Sequence, residues 1–182
     1  PSRFQAEVHN DRSRFRILDW GRRGGKTYFL VSEINQMGID VFQEKRRKAR
    51  LWIVSPTYPL VKEAWRVANE ILVNCIVDKR ETDLWMNLPW AELEFKSADK
   101  ADEGLRGAGL DGVGCDEFAR MRRDAWEYGL RPALADRQGR AVFISTPRGQ
   151  NHFYDMFLEG QPGKSKRPDT TSWKKSTIEC WR

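Results

Sequence analysis

The sequence predicts an α/β fold, a mostly parallel central sheet flanked by helices, and three observations carry that expectation. Short strand-like runs, Phe15 to Trp20, Leu51 to Val54 and Ala141 to Ile144, alternate with stretches whose apolar residues recur at three- and four-residue spacing. The first run passes through a cluster of glycines directly into a helical pattern. A further strand, carrying Gly112 and Gly114 within the stretch from Leu105 to Ala119, closes on an acidic pair, Asp116-Glu117.

Residues 20–27 read WGRRGGKT and lie between the Phe15 to Trp20 strand and the helical series Tyr28-Phe29-Leu30-Val31 and Ile34. A strand, a glycine loop and a helix in this order point backbone N–H groups and a positive helix end at one spot, which suits a polyphosphate. Gly24 and Gly25 shape that turn, Lys26 is placed to reach the β- and γ-phosphates, and the Thr27 hydroxyl to ligate Mg²⁺. The full G-x-x-x-x-G-K-[ST] spacing would set its first glycine at Trp20, whereas Gly21 stands one residue late. The plainer alternative is a chance Gly-Gly-Lys-Thr after a strand.

The acidic pair is what a P-loop enzyme sets opposite its phosphate loop, with Asp116 holding Mg²⁺ and Glu117 aligning water. The strand before it carries Gly112 and Gly114 where bulky apolar residues are usual, so an acidic turn is the competing reading. Ser145-Thr146-Pro147 ends the Ala141 to Ile144 strand. In a parallel sheet those hydroxyls sit on the carboxyl edge, where open α/β folds bind ligands; the alternative is a plain turn.

With 182 residues, 40% of them hydrophobic, the chain can bury one good core, and one domain over 1–182 is expected. A net charge of +6 and a pI near 9.4 favour a polyanionic partner, although solubility explains part of the bias. Cys75, Cys115 and Cys180 are odd in number and widely spaced, which supports neither a disulfide framework nor a zinc motif. No apolar run approaches the roughly 18 residues needed to cross a bilayer, so no membrane is involved and a soluble, intracellular protein is expected. Starting at Pro1 and stopping at Arg182, the chain reads as a piece of something longer.

The remaining elements follow in order. Pro1 to Arg14 suits a short helix or clasp. The helix after the glycine loop is expected to end near Gly38, followed by the basic segment Gln43 to Arg50, either a phosphate contact or a solvated helix end. Val61, Ala64, Trp65, Ala68, Ile71 and Leu72 give the next helix its apolar stripe. Residues 78–97 suggest a small hairpin or two edge strands, separated by Asn87-Leu88-Pro89-Trp90, and 98–106 a charged loop. Asp124 is a candidate cap for a helix over Ala125 to Ala135, which Pro132 would kink or shorten. A helix over Phe153 to Glu159, a flexible 160–168 stretch and an edge strand within Thr171 to Arg182 complete the chain.

Taken together, Phe4-Gln5, WGRRGGKT, WIVSPTY, LRGAGLDGVGCDEFA and VFISTPRG with Asn151-His152-Phe153-Tyr154 resemble, in that order, the N-terminal ATPase domain of a tailed-bacteriophage large terminase. That family packages DNA, and an arginine-containing, shifted phosphate loop is normal in it. The resemblance implies an additional-strand, RecA-like P-loop NTPase that uses ATP and Mg²⁺. It implies that Gln5 contacts adenine, that Arg22 or Arg23 positions phosphate, and that Lys26 and Thr27 serve nucleotide and metal. Asp116 would be the Mg²⁺-side acid, Glu117 the catalytic glutamate, and Ser145-Thr146-Pro147 the motif coupling hydrolysis to DNA movement. Arg106 would be an arginine finger offered to a neighbouring subunit; alternatively it is a structural arginine paired with Asp102, Glu103 or Asp111.

Expected partners are double-stranded DNA, the portal or procapsid, the small terminase subunit and further copies of the chain in a ring, with a monomer as the alternative for the isolated piece. The setting would be the host cytoplasm. The nuclease half of the family has no counterpart, since Asp99, Asp102 and Glu103 lack the strands that would converge them on metals. Two other readings remain: an additional-strand helicase motor, and a basic nucleic-acid-binding module with a decayed phosphate loop.

Overall fold

A computed structural model of the chain describes residues 3–22, 24–100, 109–146, 148–162 and 169–175. Among these, eight strands share one sheet: β1 Phe15–Trp20, β2 Ala49–Ser55, β3 Asp78–Arg80, β4 Trp85–Asn87, β5 Ala91–Ser97, β6 Gly112–Cys115, β7 Arg140–Ser145 and β8 Thr170–Lys175. Their order is β3-β4-β5-β2-β6-β7-β1-β8. From β5 to β8 every pairing is parallel. At the other edge the expected hairpin forms as β4 and β5, and a third short strand, β3, adds a second antiparallel pairing. Strand β7 follows the acidic pair in sequence yet lies between β1 and β6 in space. It is the additional strand of the expected class.

Three helices, α1 Arg3–Asn10, α2 Lys26–Lys45 and α3 Tyr58–Ile71, cover one face. On the other face lie a π-helical segment, Ala125–Leu130, the single turn Arg131–Ala133, and α4, His152–Glu159. Period-two alternation of the strands divides the apolar residues between the faces. Leu18, Ile53, Phe95 and Ile144 meet the α2 and α3 side, whereas Ile17, Trp52, Val113 and Phe143 pack against Phe118 and Trp126. Helix α3 forms as its spacing predicts, with a proline in its first turn and Val61, Ala64, Trp65 and Ala68 turned inward.

Helix α2 does not end near Gly38 but continues to Lys45, where Arg46 closes it in the left-handed region at φ 54°. Gly38 is there for packing: a Cβ would come within 3.0 Å of Leu51 Cδ1 and 3.1 Å of Ala91 Cβ. The glycines of β6 have the same cause. A Cβ on Gly114 would lie 2.8 Å from Ile34 Cγ1, and one on Gly112 3.0 Å from Met37 Sδ. Small residues on both sides therefore let α2 lie close against the sheet, which explains why β6 departs from the usual bulky pattern.

Two other expectations change. Asp124 makes no capping bond and pairs with Arg122, and the following segment is π-helical rather than α-helical. In the basic segment Arg47 is neither a phosphate contact nor a freely solvated end, because it grips buried Asp111 with bonds of 2.7 and 2.6 Å. Arg137 adds a third, at 3.0 Å, so Asp111 already has arginine partners among the described residues. Cys75 and Cys115 are free thiols, and Cys180 lies outside the described residues. No helix among the described residues is long and apolar enough to cross a membrane, and no cluster of three metal-ligating side chains occurs among them.

Candidate nucleotide site

The parallel registers bring three strand ends to one level. Asp19 pairs with Ser145, and Cys115 with Phe143, so the segments that follow β1, β6 and β7 emerge side by side at the carboxyl edge. Gly25 caps α2 at φ 72°, a left-handed conformation that costs a glycine little. The first backbone N–H groups of α2 have no intrahelical acceptor there. Upstream, Gly21 is tied by its N–H to the Lys175 carbonyl at 2.9 Å. Trp20, standing where a glycine is usual, is fully buried against Phe4 and Phe29, so it anchors the loop from below.

Side chains from all three ends meet. Thr27 Oγ1 donates to Asp116 Oδ2 at 2.9 Å. Lys26 Nζ donates to Thr146 Oγ1 at 3.1 Å and to the Gly21 carbonyl at 3.3 Å, and it lies 3.6 Å from Glu117 Oε1. Thr146 Oγ1 is also 3.5 Å from that carboxylate oxygen. Asp116 is buried, and its backbone N–H continues the β6 ladder to the Val54 carbonyl. Burial pushes its carboxyl up to about 6, and the neighbouring Glu117 charge adds to this against the Thr27 hydrogen bond. Such a buried acid is short of positive charge. Glu117 itself adopts φ 48°, a conformation that costs a non-glycine residue about 1–3 kcal/mol and that surrounding contacts must enforce.

The other predicted residues sit elsewhere. Ser145 is fully buried, and its hydroxyl accepts from the Ala119 N–H at 3.1 Å and donates to the Thr146 carbonyl, so it is bonded within the protein. Gln5 lies on α1 and lines a separate cleft of ≈ 470 Å³ with Tyr28, Phe29 and Ile71. Arg22 is exposed on the loop, with Gly24 nearby in the same turn. Arg23, Arg106, Asp102, Glu103 and Pro147 lie outside the described residues.

Asn151 escapes a sequence reading as a site element. Its side-chain oxygen accepts from the Phe153 and Tyr154 N–H groups, capping α4, and its amide donates to the Ala119 carbonyl at 3.3 Å. An asparagine before a helical pattern signals the first role. Nothing local signals the second, which depends on a turn 32 residues away.

Comparison with known proteins gives this geometry a family. Residues 18–180 match the family described as terminase large subunit, T4likevirus-type, N-terminal. The large terminase subunit of Thermus virus P23-45 is 30% identical over 215 aligned positions, covering 100% of this chain and 43% of that protein. This chain thus spans less than half the length of that relative. Among solved structures, the Thermus phage P74-26 large terminase ATPase domain superposes with a TM-score of 0.81 at 28% identity, covering 100% of this chain and 83% of that one. The large terminase of another thermophilic bacteriophage, solved in complex with ADP, shares the fold at a TM-score of 0.78 and 14% identity, covering 100% of this chain and 47% of that one. The chain belongs to the large terminase family, matches its N-terminal region and has the fold of its ATPase domains.

Proposed function

We propose that the chain is the Mg²⁺-dependent ATPase of a viral motor that drives double-stranded DNA into a procapsid. The observation that carries this is the meeting of Lys26, Thr27, Asp116, Glu117 and Thr146 at the ends of three adjacent strands. Membership of the terminase family favours this reading over a helicase or a decayed binding module.

The donor set fits Mg²⁺, a small hard ion that takes one or two protein oxygens and completes its shell with phosphate and water. Thr27 and Asp116 would hold it, and the charge-starved carboxyl of Asp116 is a suitable anchor. Bound there, it would neutralise charge on the β- and γ-phosphates. Lys26, now held by Thr146 and Gly21, turns to those phosphates, and the N–H groups around Gly24 and Gly25 cradle them. Glu117 aligns the attacking water. Thr146, in contact with both Lys26 and Glu117, senses their rearrangement and passes it along the 145–147 segment. Arg22 or Arg23 adds a phosphate contact.

The cleft beside Gln5 presents mostly apolar surface with a few polar groups, the kind of lining a purine base uses, and we assign adenine to it. Arg106 acts in a neighbouring subunit of a ring. The portal or procapsid and the small terminase subunit are the expected protein partners, in the host cytoplasm. The deciding experiment measures ATP binding and single-turnover hydrolysis. Lys26→Ala should abolish turnover in a folded protein, and Glu117→Gln should bind ATP without cleaving it. Unchanged hydrolysis by both variants would overturn the assignment.

A further inference from the structure

The Glu117 carboxylate is held only loosely by the site side chains around it, since Thr146 Oγ1 and Lys26 Nζ stand at 3.5 and 3.6 Å. Its backbone is nevertheless held at φ 48°. Its N–H donates to Asp116 Oδ1 at 3.0 Å and its carbonyl accepts from the Arg120 N–H at 2.9 Å, which ties the conformation to the turn that follows, Phe118–Arg120, and that turn is gripped from the far side at Ala119. The Ala119 N–H donates to Ser145 Oγ at 3.1 Å, and the Ala119 carbonyl accepts from Asn151 Nδ2 at 3.3 Å. The imidazole of His152 packs edge-on to the Phe118 ring at 5.0 Å. Asn151 Nδ2 also reaches the Arg148 carbonyl at 3.4 Å, tying together the loop that leaves β7.

We propose that Asn151 is a positioning residue for hydrolysis: by holding Ala119 it fixes the backbone of Glu117, and it locks that turn to the segment following Thr146. The inference rests on reading Glu117 as the water-aligning carboxylate. Asn151 bonds to Ala119, Arg148, Phe153 and Tyr154, and its proposed action on hydrolysis is through the turn. Its grip, together with that of Ser145, ties the 118–120 turn to residues 148–151 and to the end of β7, so that Glu117 and Thr146 shift together. A carboxylate displaced by about 1 Å can lose on the order of 10²-fold in rate, so a single hydrogen bond to the supporting turn has leverage.

The competing explanation is that Asn151 only caps α4, and one substitution separates the two. Asn151→Asp keeps the oxygen that accepts from Phe153 and Tyr154, at a position where aspartate caps as well as asparagine and its charge suits the helix end. It removes the donor to Ala119 and sets a carboxylate oxygen against a carbonyl. Asn151→Ser is a second variant that caps but is too short to hold Ala119.

The test measures single-turnover ATP hydrolysis, ATP affinity and melting temperature for the chain and for Asn151→Asp, Asn151→Ser and Glu117→Gln. The expected result is a loss of about 10- to 100-fold in the hydrolysis step for both Asn151 variants, with affinity and melting temperature kept. Normal turnover by Asn151→Asp, when Glu117→Gln is inactive, overturns the positioning role alone. A loss of turnover accompanied by an equal loss of affinity or of melting temperature marks a structural cap and also overturns it. Normal turnover by Glu117→Gln overturns the reading of Glu117 itself, and the inference with it.

Discussion

Two buried aspartates bracket β6, and their opposite environments assign them opposite work. Asp111, at the amino end, is desolvated, yet hydrogen bonds from Arg47 and the Arg50 N–H, with Arg47 and Arg137 charges nearby, hold its carboxyl below the usual range. Asp116, at the carboxyl end, is also desolvated and is pushed up to about 6, because the Thr27 hydroxyl, the Glu117 N–H and the Lys26 charge do not offset its burial. The first stabilises the fold, and the second is the one we propose to hold Mg²⁺. Asp111→Asn should therefore lower stability, by on the order of 2–3 kcal/mol, because charge-assisted bonds to a fully buried acceptor are lost. The contribution of Asp111 is fully present above its unfolded value near 4 and lost as pH falls through its lower folded value. A urea series from pH 7 down to pH 3 checks this, since the gap between wild type and Asp111→Asn must narrow in acid. Asp116→Asn should do the reverse at neutral pH, raising the melting temperature of the ligand-free chain by several degrees while weakening Mg²⁺-ATP binding. A lower melting temperature for Asp116→Asn would contradict the account of an undercompensated charge.

Helix α2 and strand β6 are fitted to one another through their smallest residues, and the site depends on that fit. Lys26 and Thr27 begin α2, Asp116 follows β6, and the 2.9 Å bond between Thr27 and Asp116 spans the seam. Adding one methyl at Gly114 would press on Ile34 and Leu30. Gly114→Ala should cost about 1–3 kcal/mol by overpacking and, by moving the helix, reduce ATP turnover as well. Ile34→Ala placed on top of it should recover part of the lost turnover even though Ile34→Ala alone is destabilising. Additive losses in the double variant would show that the seam does not set the site. This seam also marks where sequence reading stops short. Glycine at 38 looks like a helix stop and glycines at 112 and 114 like a weakened strand, because a local pattern shows a missing side chain but not the neighbour that fills its space.

At the scale of the whole molecule, the main strands are legible because each is a short apolar run with a turn signal after it. Their order in the sheet is less so: the crossover that carries β7 between β1 and β6 leaves no local mark and follows only from the resemblance. The phosphate loop, the acidic pair and Thr146 are legible because their residue types are restricted by chemistry. Asn151 as a brace is not, since its partner is a backbone carbonyl that any residue provides. Strand β7 is bonded along both sides, to β1 and to β6, and its amides are shielded by both apolar layers. Deuterium uptake at Val142, Phe143 and Ile144 should therefore be among the slowest in the chain and indifferent to ATP, as only global unfolding exposes those amides. Uptake at 117–121 and 148–153 should fall when a nucleotide binds; rapid exchange in β7, or a nucleotide effect there as large as in the loops, would contradict this. With both flanks clamped, β7 is a fixed bearing for the loops beside it, and in the motor we propose any stroke after hydrolysis must begin past its last hydrogen bond.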